Sequence, residues 1–147
     1  MKKIMEVQRI KQVKAEIEVK TGIVRSPEDA AELASEFIGD DDREVMFVMC
    51  LNTKNEVVAV HRAHVGSLNA SIVHPREIFK SAILNNAASI IVAHQHPSND
   101  VRPSQEDISV TRRLHESGQT LGIQLLDSLI VSSNPSIHTS LKENGYL

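Results

Sequence analysis

Two histidines, His94 and His96, stand one residue apart directly after the apolar run Ser89-Ile90-Ile91-Val92-Ala93. In a strand, residues two apart project from the same side. If strand geometry persists to the end of this run, both imidazoles leave it in one direction. Neutral imidazole nitrogens at that spacing suit a divalent metal such as zinc. Pro97 stops the ladder, and a short polar loop leads to Ser104-x-x-Asp107. With Ser104 capping a helix, Asp107 falls in its first turn and can face back toward the histidines as a third ligand. Two His, one Asp and an open fourth position describe a catalytic centre rather than a structural one. The chemistry expected there is activation of a water near neutral pH. The same Ser-x-x-Asp spacing is also a variant of the helix capping box, which needs no metal. Ser26-x-x-Asp29 is read as capping alone, because no histidine pair precedes it.

The elements that would position these groups follow from periodicity and punctuation. Val13, Ala15, Ile17 and Val19 alternate with Lys14, Glu16, Glu18 and Lys20, which predicts a half-exposed edge strand. Ser26, Pro27 and two acids open a helix through about Phe37, ended by Gly39. An acidic turn, Asp40-Asp41-Asp42, leads into a buried strand over 44–51. Asn52-Thr53-Lys54-Asn55 is read as a hairpin turn with a return strand over 56–65. His74-Pro75 opens a helix to about Asn85, residues 89–93 form a short apolar strand, and Pro103-Ser104 opens a helix closed by Gly118. A last core strand covers 123–131, and the tail from Ser132 is expected to be looser. Strands and helices mix without regular alternation. The expected class is therefore α/β (α+β), a mixed sheet flanked by helices in one domain. The divisions are an N-terminal extension at 1–25 carrying the edge strand, a domain at 26–131 and a tail at 132–147.

The totals narrow the function. The chain has 147 residues, 41% apolar and 24% charged, which suits one core. A formal net charge of −3 supplies no basic footprint for duplex binding. The lysines and arginines of the first 14 residues are mixed with acids and read as a solvated edge. Cys50 is the only cysteine, so no internal disulfide forms, and a cytoplasmic setting fits. Within Val45–Leu51 it is expected to be a small buried hydrophobe. No apolar run approaches the roughly 20 residues that span a bilayer, and the N-terminus has no signal-peptide pattern.

His94-x-His96-Pro97 followed by Ser104-x-x-Asp107 resembles the JAMM metalloprotease motif of the JAB/MPN fold. The flanks "GSLNASIVHPREIFKSAILNNAASIIVAHQHPSNDVRPSQEDISVTRRL" are similar to the C-terminal domain of the RadC family, and the resemblance runs over about residues 26–131. It implies that His94, His96 and Asp107 hold one Zn2+ per chain and that Ser104 helps stabilise the oxyanion. Glu44, at the head of "EVMFVMCLN", aligns with the glutamate that moves the proton of the activated water. The residues alone do not single out Glu44 over Glu56 or Glu77. The sequence departs from the family pattern at Gln95, commonly Asn; at Asn99, commonly Gly; and at Ser128, commonly His. Longer family members carry a helix-hairpin-helix-like region ahead of this domain, whereas about 25 residues precede it here.

Several other residues carry weaker readings. His61 and His64, three apart on a strand, are expected on opposite faces. His74 matches the family's HPRE segment and is read as shaping the site or as helix entry, Asp100 is read as a loop acid, and Arg112-Arg113 as solvated charge. Asp127 is a candidate partner behind a ligand histidine. The leading expectation is a zinc-dependent hydrolase of JAMM type acting on a peptide or isopeptide bond of an unidentified protein substrate. The alternatives are a non-catalytic protein-binding module on the same fold and a DNA-repair-associated role, which the acidic balance disfavours. An exposed strand edge leaves a homodimer open, and no membrane contact is expected.

Overall fold

A computed structural model describes all residues, Met1–Leu147. Three helices and five strands follow in the order α1 (Pro27–Ile38), β1 (Val45–Leu51), β2 (Val57–Val65), α2 (Pro75–Leu84), β3 (Ser89–Gln95), α3 (Gln105–Leu121), β4 (Gln124–Val131) and β5 (Thr139–Ser140). The strands form one mixed sheet in the order β2-β1-β3-β4-β5. β3 and β4 are parallel, and the other neighbours are antiparallel. The α/β class read from the sequence is the observed one.

Every residue of β1 and β3 is buried. Both strands therefore read as continuous apolar runs, as expected where helices cover both faces of a sheet. On one face, Met46, Val48, Cys50, Ile90 and Val92 pack against Ile78, Phe79 and Ala82 of α2 and Val110 and Leu114 of α3. On the other, Phe47, Met49, Leu51, Ile91 and Ala93 pack against Ala30, Ala31, Leu33, Ala34 and Ile38 of α1. Cys50 sits inside the first cluster as a buried thiol. Burial pushes its pKa up against the lowering effect of the Ser81 contact, so it stays protonated and unreactive.

The caps explain where the helices lie. Ser26 Oγ accepts from the Asp29 amide, and Asp29 Oδ2 accepts from the Arg25 amide. At α3, Ser104 and Asp107 make the reciprocal capping box, and Gly122, with φ of +73°, ends the helix. Gly118 is not the terminator expected from the sequence. It lies within α3, where an added Cβ would stand 2.4 Å from the Ile123 carbonyl oxygen and 3.3 Å from the Phe79 ring. The glycine is there for close approach to the chain entering β4. Because the clash is with a backbone oxygen, Gly118→Ala is expected to destabilise the fold by about 2–3 kcal/mol, the upper part of the overpacking range. The gain in helix propensity, at most about 1 kcal/mol, offsets only part of that. A lowered urea midpoint at unchanged slope would register the loss.

Two further expectations are corrected. Val13–Val19 is not an edge strand, and residues 1–19 form no regular structure. Alternation fits an extended chain, but the backbone finds no strand to pair with. Side-chain bonds from Gln12 to the Leu84 carbonyl and to Asn85 hold this segment beside α2, with a cleft left between it and β2. The tail from Ser132 is tied in rather than loose. β5 pairs with β4, Leu141 is fully buried, and Asp127 accepts from the Ser140 hydroxyl and the Lys142 amide. No helix is long and apolar enough to cross a membrane.

Candidate metal centre

Antiparallel pairing of β1 with β3 brings the head of β1 beside the end of β3, since Phe47 lies opposite Ala93. The connection after β3 then returns α3 so that its first turn reaches the same place. Ile90 and Val92 face the α2–α3 side, so His94 and His96 continue on that side, toward Asp107.

The three side chains meet. His94 Nε2 is 3.0 Å from Asp107 Oδ1, and His96 Nε2 is 3.1 Å from Asp107 Oδ2. One ligand atom from each residue lies within 4.8 Å of the others. Donors around a tetrahedral zinc with bonds of about 2.0–2.1 Å stand roughly 3.3 Å apart, so small side-chain shifts suffice to enclose an ion. His94 and Asp107 are buried, and His96 is the more open of the two histidines.

The second ring nitrogens sharpen the test. His96 Nδ1 lies 2.5 Å from the Asp100 carbonyl. A carbonyl only accepts, so Nδ1 carries a hydrogen and the neutral ring turns the Nε2 lone pair on the Asp107 carboxylate. Lone pair against carboxylate is repulsive unless a cation lies between them. A proton is one such cation: the Asp107 hydrogen bond raises the His96 pKa, against the lowering effect of burial, and the charge of Glu44 acts in the same direction as Asp107. Burial alone would raise the Asp107 carboxyl, but its bonds to His94 and His96 outweigh that and hold it well below the usual carboxylate range. A divalent metal meets the same demand, and the donor set fits one. His94 Nδ1 is buried with no partner.

Asp107 performs two tasks at once, capping α3 and facing both histidines. Oδ2 accepts from the Ser104 amide at 2.9 Å as part of the helix cap, which fixes the carboxylate. Oδ2 also faces His96, and Oδ1 faces His94. Ser104 Oγ accepts from the Asp107 amide at 3.1 Å, so its hydroxyl hydrogen stays available to donate. Capping box and ligand geometry are thus one arrangement here, where the sequence offered them as alternatives. Glu44 lies just before β1 and is half-buried, and its Oε2 accepts from the Leu68 amide at 3.1 Å. Met46, Leu68, Val110, Thr111 and Ser128 wall the space around His94 and Asp107. Ser128 is buried and its hydroxyl accepts from Thr111 at 2.9 Å.

Other sequence candidates fall elsewhere. Asp127 is bonded to the Ser128 amide, Ser140 and Lys142, so it anchors the tail rather than backing a histidine. The carboxylate of Asp100 pairs with Arg102, which lowers its pKa to about 2, while its backbone carbonyl orients His96. Only the side chain entered the sequence reading, so that second role was missed. A bulge between Met46 and Phe47 pairs His64 with Met46 and His61 with Val48, two positions on one face, contrary to the opposite faces expected. Arg112 is exposed as expected, whereas Arg113 donates to the Ala70 and Val73 carbonyls and holds the loop before α2. Asn99 adopts the left-handed conformation, with φ of +63°, and its side chain accepts from the Ser133 amide.

A three-layer α/β domain with this His-His-Asp group at a strand end defines a class of fold and candidate metal centre. Residues 24–146 match the family described as RadC-like JAB domain, and the chain belongs to that family. It is 48% identical over 136 residues to a UPF0758 protein of Shouchella clausii, covering 92% of this chain and 58% of that protein. Similarity to the UPF0758 protein YsxA of Bacillus subtilis is 50% over 125 residues, covering 85% and 53% respectively. A UPF0758 protein of Clostridium acetobutylicum is 48% identical over 124 residues, covering 84% and 53%. The chain spans little more than half the length of these curated relatives.

Proposed function

We propose that the domain is a zinc-dependent hydrolase of JAMM type that cleaves a peptide or isopeptide bond. The observation that carries this reading is the convergence of His94 Nε2, His96 Nε2 and Asp107, with the outer nitrogen of His96 already committed to the Asp100 carbonyl. Three protein ligands leave room for a fourth, exchangeable one. Zinc, when bound by His94, His96 and Asp107, would polarise the scissile carbonyl and acidify water.

The chain's own residues supply the remaining steps. Glu44 is held at Oε2 by the Leu68 amide, which leaves Oε1 to take a proton from the attacking water. As the carbon–nitrogen bond breaks, the same carboxyl returns that proton to the leaving amine. Ser104 keeps its hydroxyl hydrogen for the oxyanion that develops on the former carbonyl oxygen. The apolar wall of Met46, Leu68 and Val110 lowers the local dielectric, which strengthens these contacts.

Zinc-loaded protein incubated with peptide and isopeptide-linked substrate libraries is the test. New amino termini or free lysine side chains, suppressed by a chelator and restored by zinc, are the expected result. Hydrolysis insensitive to chelation would refute the reading. A second reading is a protein-binding module that keeps the metal site. It is favoured by the exposed apolar side chains of the N-terminal segment, Ile4, Met5, Val7 and Ile10. Such a module would hold zinc and cleave nothing in the same libraries.

A further inference from the structure

We propose that Gln95 is a positioning residue that sets Glu44 opposite the two histidines. The inference rests on the role proposed above for Glu44. Gln95 lies between the ligand histidines, so strand alternation turns it to the other face of the sheet. It is 1% exposed. Its Oε1 accepts from the Val45 amide at 3.0 Å, and its Nε2 donates to the carbonyls of Asp41, at 3.3 Å, and Arg43. One side-chain amide thus uses both donors and its acceptor on the segment 41–45. Arg43 and Val45 are the two residues that flank Glu44.

The ladder shows why this matters. Backbone pairing of β1 with β3 ends at Phe47–Ala93. Beyond that point, the head of β1 is tied to β3 through the Gln95 side chain. On the other side, β2 holds it through Val45–Val65 and through the Gly66 amide donating to the Glu44 carbonyl. The residue that carries the two ligand histidines on its flanks therefore also fixes the backbone on either side of the acid. Ligands and acid share one rigid support, which holds reacting groups in register. Replacement by leucine keeps the approximate volume but leaves an amide and two carbonyls without this partner. Strain of that kind is relieved by local movement of residues 41–45.

Amide hydrogen exchange on the metal-free full chain, read residue by residue by NMR, tests the proposal without a substrate. In wild type the Leu68 amide is protected by Glu44 Oε2 and the Val45 amide by Gln95. In Gln95→Leu both are expected to exchange at least about tenfold faster, while core amides such as Met49 and Ile91 keep their rates. A purely structural contribution would accelerate the core amides as well. Glu44→Ala serves as the control: it should release Leu68 and leave Val45 protected. Unchanged Leu68 and Val45 protection in Gln95→Leu would overturn the proposal. If that variant gives no dispersed spectrum, wild type still decides. Slow exchange of the Gln95 side-chain amide protons supports the clamp, and rapid exchange overturns it. Should Glu44→Gln cleave substrate like wild type, the catalytic reading would fail while the exchange result stood.

Discussion

Glu44→Gln is expected to lower kcat on a cleavable amide by about 10²–10⁴-fold, the usual contribution of a positioned acid/base group. The substitution keeps size and a hydrogen-bond acceptor for the Leu68 amide, so neither the loop nor the head of β1 should move. It removes only the ability to take and return a proton. Because Glu44 is not one of the three convergent ligands, bound zinc should remain at the wild-type level. KM should change little, since a proton-transfer group acts in the transition state rather than in ground-state binding. Steady-state kinetics with parallel metal analysis separates these effects. Wild-type kcat in the variant would remove Glu44 from the chemistry, and loss of zinc would make it a ligand instead.

The second large effect concerns the ligands. Asp107→Asn retains an oxygen for the Ser104 amide and therefore much of the helix cap, but it loses the anionic oxygen that faces His94. His96→Ala leaves the cap untouched and removes one imidazole. Both are expected to reduce zinc from about one per chain to near zero in metal-free buffer, and hydrolysis should vanish with it. Their structural costs differ. His96 is partly open to solvent, so its truncation should be mild. Asp107 sits among buried groups, and its asparagine variant leaves two histidines without their carboxylate. Circular dichroism beside metal analysis distinguishes loss of the ligand from loss of the fold. Zinc retained at wild-type occupancy in either variant would place the metal elsewhere.

Much of this centre was legible because it is built from local rules. A period of two places His94 and His96 on one side of β3, and a three-residue cap spacing places Asp107 in the first turn of α3. Pro27, Ser26 and Gly39 likewise marked α1 to within a residue. What was not legible depends on distant partners. Gln95 stood out only as a departure from a family pattern, because its three bonds reach segment 41–45, about 50 positions away in sequence. The bulge that brings His61 and His64 to one face depends on register against β1. Val13–Val19 had the alternation of a strand but stays across a cleft from β2, the edge strand, without pairing with it, and Asp127 found the tail rather than a histidine. Gly118 and Gly122 look alike as stop signals. Only the closeness of Ile123 and the positive φ of Gly122 separate their roles.

The most direct test of the central claim is the metal content of untagged protein purified without added metal and then offered zinc, measured by mass spectrometry beside His96→Ala. About one zinc per chain in wild type, absent from the variant, is the result predicted by the convergence of His94, His96 and Asp107. Wild-type protein that takes up no zinc, or a His96→Ala variant that binds it equally well, would contradict the account.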